Sequence, residues 1–213
     1  MQGFQMWIGG RRRDAESGQT LPVVNPATGE EIAQIPCGGP AEVDAAVEAA
    51  RNALPVWSEK SQAERSAAVL KIAEAIRKSA DRLAPLEIAE HGSTSFIAPI
   101  MVEVSAAQLD LAAAGARTVM GYTLPLTASK DDGPGSPPNT VAYMQREPVG
   151  VCALITPWNV PSLMISQKIG YALATGNTCI VKPPSLNSGI GLEWAEILAE
   201  LDLPAGVVNI VTG

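Results

Sequence analysis

The chain has 213 residues, 46% hydrophobic, 17% charged and only 4% aromatic, with a net charge of −7 and a pI of about 4.8. This is a globular composition, long enough for one core or one and a half; the acidic balance excludes nucleic acid and anionic membrane surfaces as partners, and no run reads as a membrane span or a signal-peptide core. The cysteines, Cys37, Cys152 and Cys179, are odd in number and dispersed, which points to reduced thiols in a cytoplasmic protein, and the single histidine, His91, excludes a histidine-based metal site, so no metal is expected.

Met6 to Gly10 reads as a short strand, and Arg11-Arg12-Arg13 as a solvated turn beside Asp14 and Glu16. Leu21 to Val24 and Glu31 to Ile35 flank the breaker-rich Asn25-Pro26-Ala27-Thr28-Gly29-Glu30, a peripheral hairpin. Pro40-Ala41-Glu42 opens a helix to about Asn52. Ser61, with Glu64 three residues on, forms a capping box for a helix to about Ser79, striped by Ala68, Ile72 and Ile76. Further helices run from near Asp81 to His91-Gly92 and from Ile97 to about Thr118. Leu124 to Asn139 is rich in Pro, Gly, Ser and Asp and reads as an exposed linker. Thr140 to Arg146 alternates as an exposed strand does.

The most informative stretch runs from Glu147 to Gly213. Val149 to Ile155 is a buried strand, stopped by Thr156-Pro157-Trp158-Asn159. Pro161 starts a helix, where its missing N–H costs nothing, and Gly176 ends it as a left-handed cap. Thr178 to Val181 is a second strand, closed by Lys182-Pro183-Pro184. A helix from Ser188 to Leu201 and a strand from Val207 to Val211 follow. Strand, helix, strand, helix, strand implies parallel strands with right-handed crossovers. Ligands bind such sheets at the carboxyl ends of the strands, where Trp158-Asn159 and Lys182 stand. Gly189 and Gly191 lack the third glycine of a dinucleotide fingerprint and read as close helix packing.

The ordered set Pro157-Trp158-Asn159, Pro161, Leu173, Gly176-Asn177, Lys182-Pro183 and Pro204-x-Gly-Val-Val-Asn resembles the aldehyde dehydrogenase superfamily; a weaker likeness starts at Trp7-Ile8-Gly9-Gly10. The resemblance implies an α/β fold, a Rossmann-like parallel sheet flanked by helices, with a small oligomerisation-arm β segment. It divides the chain into a helical layer with the first part of the cofactor-binding domain (1–125), a linker with the arm strand (126–147), and a parallel β-α-β-α-β core (148–213). It implies NAD(P)-dependent oxidation of an aldehyde to a carboxylic acid through a thiohemiacetal. Asn159 would be the oxyanion donor. Ile155, Thr156, Pro157 and Trp158 would line the cleft for NAD or NADP, and Lys182 would bind the adenosine ribose.

Ser185 departs from the family pattern. NAD-preferring members usually place Glu there, whose charge repels a 2′-phosphate, whereas Ser does not. Gly92-Ser93-Thr94 replaces the usual Gly-Lys-Pro. The family's nucleophilic Cys and catalytic Glu lie beyond the point matched by Gly213. Cys152 and Cys179 sit in apolar strands without a local cation and do not fill that role. The chain alone is therefore expected to be inactive, the amino-terminal part of a homo-oligomeric dehydrogenase or a chain completed by a complementary C-terminal polypeptide. Readings from another class are a truncated non-catalytic assembly partner and half of a split enzyme. Val207 to Val211 is expected to present a bare sheet edge.

Overall fold

The computed structural model describes residues 4–126 and 140–213; the expected linker falls largely outside them. Its centre is a five-stranded sheet in the order β2-β1-β9-β8-β7. Strands β7 (Val151–Ile155), β8 (Thr178–Lys182) and β9 (Val208–Ile210) are parallel, while β1 (Met6–Ile8) and β2 (Arg11–Arg13) form an antiparallel hairpin beside β9. Two corrections follow. The arginine run is a strand, because pairing with β1 satisfies its backbone while its side chains stay in water; Arg12 also bonds Glu196 at 2.8 Å. The Val207–Val211 edge is not bare, since Ile210 pairs with Trp7, and the outer strands among the described residues are β2 and β7.

The peripheral hairpin is present as β3 (Thr20–Val24) and β4 (Glu31–Pro36). Helix α1 runs over Pro40–Ser58, past its expected end and through Pro55. A proline inside a helix costs about 3 kcal/mol. Trp57, fully buried and donating its indole N–H to the Leu173 carbonyl at 3.1 Å, contributes roughly 4–5 kcal/mol by area. Burial of the last turn therefore wins. Helix α2 (Gln62–Lys78) starts at the expected box: Ser61 Oγ accepts from Glu64 N–H at 3.2 Å, and Glu64 Oε2 accepts from Ser61 N–H at 2.8 Å.

Helix α3 (Ala80–Leu86) passes into a wider π turn, Glu87–His91, ended by Gly92 at φ +81°. Helix α4 (Ile97–Ala116) is apolar enough, at mean hydropathy 1.4, to pass for a membrane span by length and composition, which corrects the sequence reading. Packing explains the hydropathy: Ala98, Val102, Ala106, Leu109 and Ala113 are buried, and α4 lies against α2 and α5 (Pro161–Ala174). Gly170 of α5 permits that approach, since a Cβ there would lie 2.9 Å from Ala112 Cβ. Helix α6 (Ser188–Ala199) follows a single 3-10 turn, Ser185–Asn187. The strand at Thr140–Met144, β6, pairs antiparallel with β5 (Tyr122–Leu126), which begins before the expected linker and ends inside it.

Candidate dinucleotide cleft

Pairing of β7 with β8 aligns Ile155 with Lys182, so both strands end at one level. The ladder continues one step further, with Thr156 N–H donating to the Lys182 carbonyl at 3.1 Å. That bond draws Thr156 inside, 4% exposed, with its Oγ1 unpartnered. Ile155 before it and Trp158 after it are 70% and 58% exposed, and Pro157 and Asn159 are exposed too. An isoleucine and a tryptophan are thus held outward over a buried, unsatisfied hydroxyl. Lys182 and Ser185 are half-buried on the adjoining loop. All seven residues singled out in the sequence thus fall on the two adjacent strand ends and the loops that leave them.

The two loops are tied together. Asn187 Nδ2 donates to the Trp158 carbonyl at 2.8 Å, and Ser188 Oγ donates to the Pro184 carbonyl at 2.7 Å. Gly191 lets α6 close on the second loop, for a Cβ there would lie 2.8 Å from Pro183. This is the close packing expected from the sequence. Gly176, at φ +89°, caps α5 and returns the chain to β8.

The model of the aldehyde dehydrogenase family matches residues 13–213. The chain belongs to that family. It is similar to a glutarate-semialdehyde dehydrogenase of Pseudomonas putida, 38% identical over 98% of this chain and 42% of that protein. It is also similar to cytosolic aldehyde dehydrogenase 1 of Mus musculus, 36% identical over all of this chain and 41% of that protein. Among solved structures, an NADP-dependent enzyme of E. coli superposes with a TM-score of 0.90 at 33% identity, over 99% of this chain and 42% of that one. PnpE in complex with nicotinamide adenine dinucleotide superposes at 0.89 and 37%, over all of this chain and 42% of that one. The chain therefore spans about two fifths of the relatives' length, and its fold is the α/β, Rossmann-like one expected.

Within this aldehyde dehydrogenase chain the two strand thiols, Cys152 and Cys179, are poorly suited to attack. Burial pushes Cys179 strongly up, with the Cys152 thiol beside it in the same direction, and burial also raises Cys152. A thiolate nucleophile needs the opposite shift. No group of acidic, histidine or cysteine side chains that could hold a metal occurs among the described residues.

Two buried acids that hold the helices leaving the cleft escaped the sequence reading. Glu87 Oε1 accepts from Ser162 N–H at 3.3 Å, on the first turn of α5. Glu90 Oε2 accepts from Ile190 N–H at 3.1 Å, on the first turn of α6. Their signal was two acids three apart in an otherwise apolar helical stretch, which marks them for one buried face.

Proposed function

We propose that the cleft binds NAD or NADP and that the complete protein oxidises an aldehyde to a carboxylic acid. The carrying observation is the pair of level strand ends, with outward Ile155 and Trp158 around the orphaned Thr156 Oγ1. An unsatisfied buried hydroxyl beside exposed apolar faces fits a ligand that supplies both a ring and hydrogen-bonding groups. Thr156, Pro157, Trp158 and Ile155 would contact the dinucleotide, and Lys182 with Ser185 would meet the adenosine ribose. A bound nicotinamide would supply the hydride acceptor. Asn159 would donate its side-chain amide to the oxyanion that forms on the substrate.

The thiol and the general base would come from outside these residues, so the chain by itself is inactive in this reading. The β5–β6 hairpin would be an association surface between copies, because Tyr143 is 79% exposed and Tyr122, Leu124 and Val141 are exposed too. A cytosolic location is in keeping with the mouse relative's name. Equilibrium titration of Trp158 fluorescence with NAD+ and NADP+ tests the cofactor part. Saturable quenching, lost in Trp158→Phe, is expected. Absence of binding by either dinucleotide in both calorimetry and fluorescence would remove the reading.

A further inference from the structure

The dinucleotide reading leaves the buried acids of the π turn unused. Each holds the first turn of a helix that departs from the cleft: Glu87 holds α5, which carries the Trp158 loop, and Glu90 holds α6, which carries the Ser185 loop. Single π turns inside helices frequently mark functional sites. Glu90 is 4% exposed and its Oε1 has no partner. Gly189 makes the seat possible, since a Cβ there would lie 1.9 Å from that oxygen. Asn187, on the turn packed against this one, also has an orphan acceptor, Oδ1. A proton on Glu90 is the change that turns one orphan acceptor into a donor.

We propose that Glu90 is a positioning residue whose protonation sets the preference of the cleft between a dinucleotide with a free 2′-hydroxyl and one carrying a 2′-phosphate. This rests on the dinucleotide reading above. A helix amino end carries about half a positive charge and favours phosphate. The first turn of α6 begins directly after Ser185–Asn187. An ionised Glu90 on that turn cancels its field. A neutral Glu90 leaves the field to the ligand. Burial pushes the Glu90 carboxyl up to about 7, and the Glu87 charge adds to it against the two backbone N–H groups of Gly189 and Ile190. The switch therefore lies close to neutrality.

The other ionisable groups on the packed elements are few. Glu87 shares the turn and has His91 at 3.6 Å. Glu193 of α6 is paired with Arg82 of α3 at 3.2 Å, Glu196 of α6 with Arg12 at 2.8 Å, and α3 also carries Asp81. Ser162, Asn187 and Ser185, which border the cleft, do not titrate in this range.

Two measurements on the 213-residue chain test the proposal, each with wild type, Glu90→Gln and Glu87→Gln. The first is the NADP+ to NAD+ affinity ratio from about pH 5.5 to about pH 8.5. The 2′-phosphate's own second ionisation, near pH 6, is common to all three proteins. Relative to Glu90→Gln, the wild-type ratio is expected to fall roughly threefold as pH rises through neutrality. The second is amide exchange at Gly189 and Ile190. The closed turn binds its proton more tightly than the open one, so its stability is full below the ordinary carboxylate range and is lost as pH rises to about 7. Opening should grow up to about tenfold per pH unit and then level. The step should vanish in Glu90→Gln and move to lower pH in Glu87→Gln.

A flat wild-type exchange profile, or a step retained in Glu90→Gln, overturns the proposal whatever the ligands do. A step that vanishes while the affinity ratio does not move overturns it too, leaving Glu90 a structural cap. A step that vanishes with neither dinucleotide bound at any pH sinks the dinucleotide reading, and the preference with it, by a visibly different route.

Discussion

Glu42 and Glu90 are both buried carboxylates set against the start of a helix, yet their surroundings pull them in opposite directions. Glu42 has both oxygens satisfied, accepting from Gly39 N–H and Glu16 N–H at 2.7 Å each, and those bonds hold it below the usual carboxylate range. Glu90 keeps one oxygen without a partner and is raised. The contrast extends to the two regions they belong to. On the side sealed by β1 and β2, Asn209 uses its whole amide: Oδ1 accepts from Gly9 N–H at 2.9 Å, and Nδ2 donates to the Gly206 and Cys179 carbonyls at 2.8 and 3.3 Å. Thr178 and Thr212 likewise bond buried carbonyls at 2.9 and 2.6 Å. After the end of β7, in the turn after β8 and in the π turn packed on it, Thr156, Asn187 and Glu90 each leave an oxygen unmet. An orphaned buried polar group costs about 1–3 kcal/mol. One region has its buried polar groups satisfied, and the other leaves several of them unmet.

The sharpest way to break this division is to exchange one asparagine from each region. Asn209→Ala leaves the part-buried Gly9 N–H without its acceptor and removes the side-chain donor from two carbonyls, and should cost about 3 kcal/mol of folding stability. Asn159→Ala, on an exposed loop, should leave the unfolding midpoint in place. In the complete enzyme it should instead remove about 3 kcal/mol of transition-state stabilisation, seen in turnover more than in cofactor affinity. Denaturant unfolding and steady-state kinetics on both variants decide. Unchanged turnover in Asn159→Ala would remove that residue from the site.

A smaller effect tests the seat of Glu90. Gly189→Ala sets a methyl against the Glu90 carboxyl, with the Cβ 1.9 Å from Oε1, and should destabilise the chain by about 2 kcal/mol. The same substitution in a Glu90→Ala background should cost far less, because its obstacle is gone. The double-mutant cycle measures this coupling directly. Additive costs would mean that the two residues do not meet.

These tests fall on residues that were unequally legible in the sequence. The alternation of strand and helix after Glu147 was readable because each element carries its own local signal: β-branched runs, Pro161 at a helix start, Gly176 at a helix end. The Ser61–Glu64 box was readable for the same reason. The placement of Ile155, Thr156, Trp158 and Lys182 followed from strand ends plus the family resemblance. What escaped was non-local. Nothing near Arg11–Arg13 says that it pairs with β1, or that β1 pairs with β9 across some 200 residues. Helix α1 outran Asn52 because Trp57 is anchored by Leu173, far along the chain. Leu124 to Leu126, the end of β5, looked like linker because its partner is the strand beginning at Thr140. Glu87 and Glu90 went unread altogether, since the helices they cap start more than seventy residues later.

Within the cleft, Ser185 offers a finer comparison than the two regions do. It is half-buried, its hydroxyl donates to the Gly213 carbonyl at 3.3 Å, and it brings no charge to the loop after β8. Ser185→Glu should shift preference from NADP toward NAD by about tenfold, or 1.4 kcal/mol, through repulsion of the 2′-phosphate. Paired titrations with the two dinucleotides measure the ratio. If the wild-type protein already prefers NAD strongly, or the substitution leaves the ratio unmoved, Ser185 does not set the choice.

The smallest expected effect returns to Glu42, and its sign matters more than its size. Its folded carboxyl sits below the ordinary range, because the N–H groups of Gly39 and Glu16 favour the charged form. The stability it contributes is therefore full above the unfolded carboxylate pKa and is lost as pH falls through the lower, folded value. Glu90 has the reverse sign, with stability lost as pH rises from the unfolded pKa toward about 7. Glu42→Gln keeps the shape and an acceptor but removes the titration, and should cost about 1 kcal/mol at neutral pH, the usual scale of a helix cap. That cost should shrink on acidification, since wild type loses its advantage while the variant does not. Urea unfolding of wild type and variant at neutral and at acidic pH reads the difference. A gap that widens on acidification would mean that Glu42 is not held ionised by its two donors, and the contrast between a satisfied acid at α1 and a reserved one at α6 would fail at its simpler end.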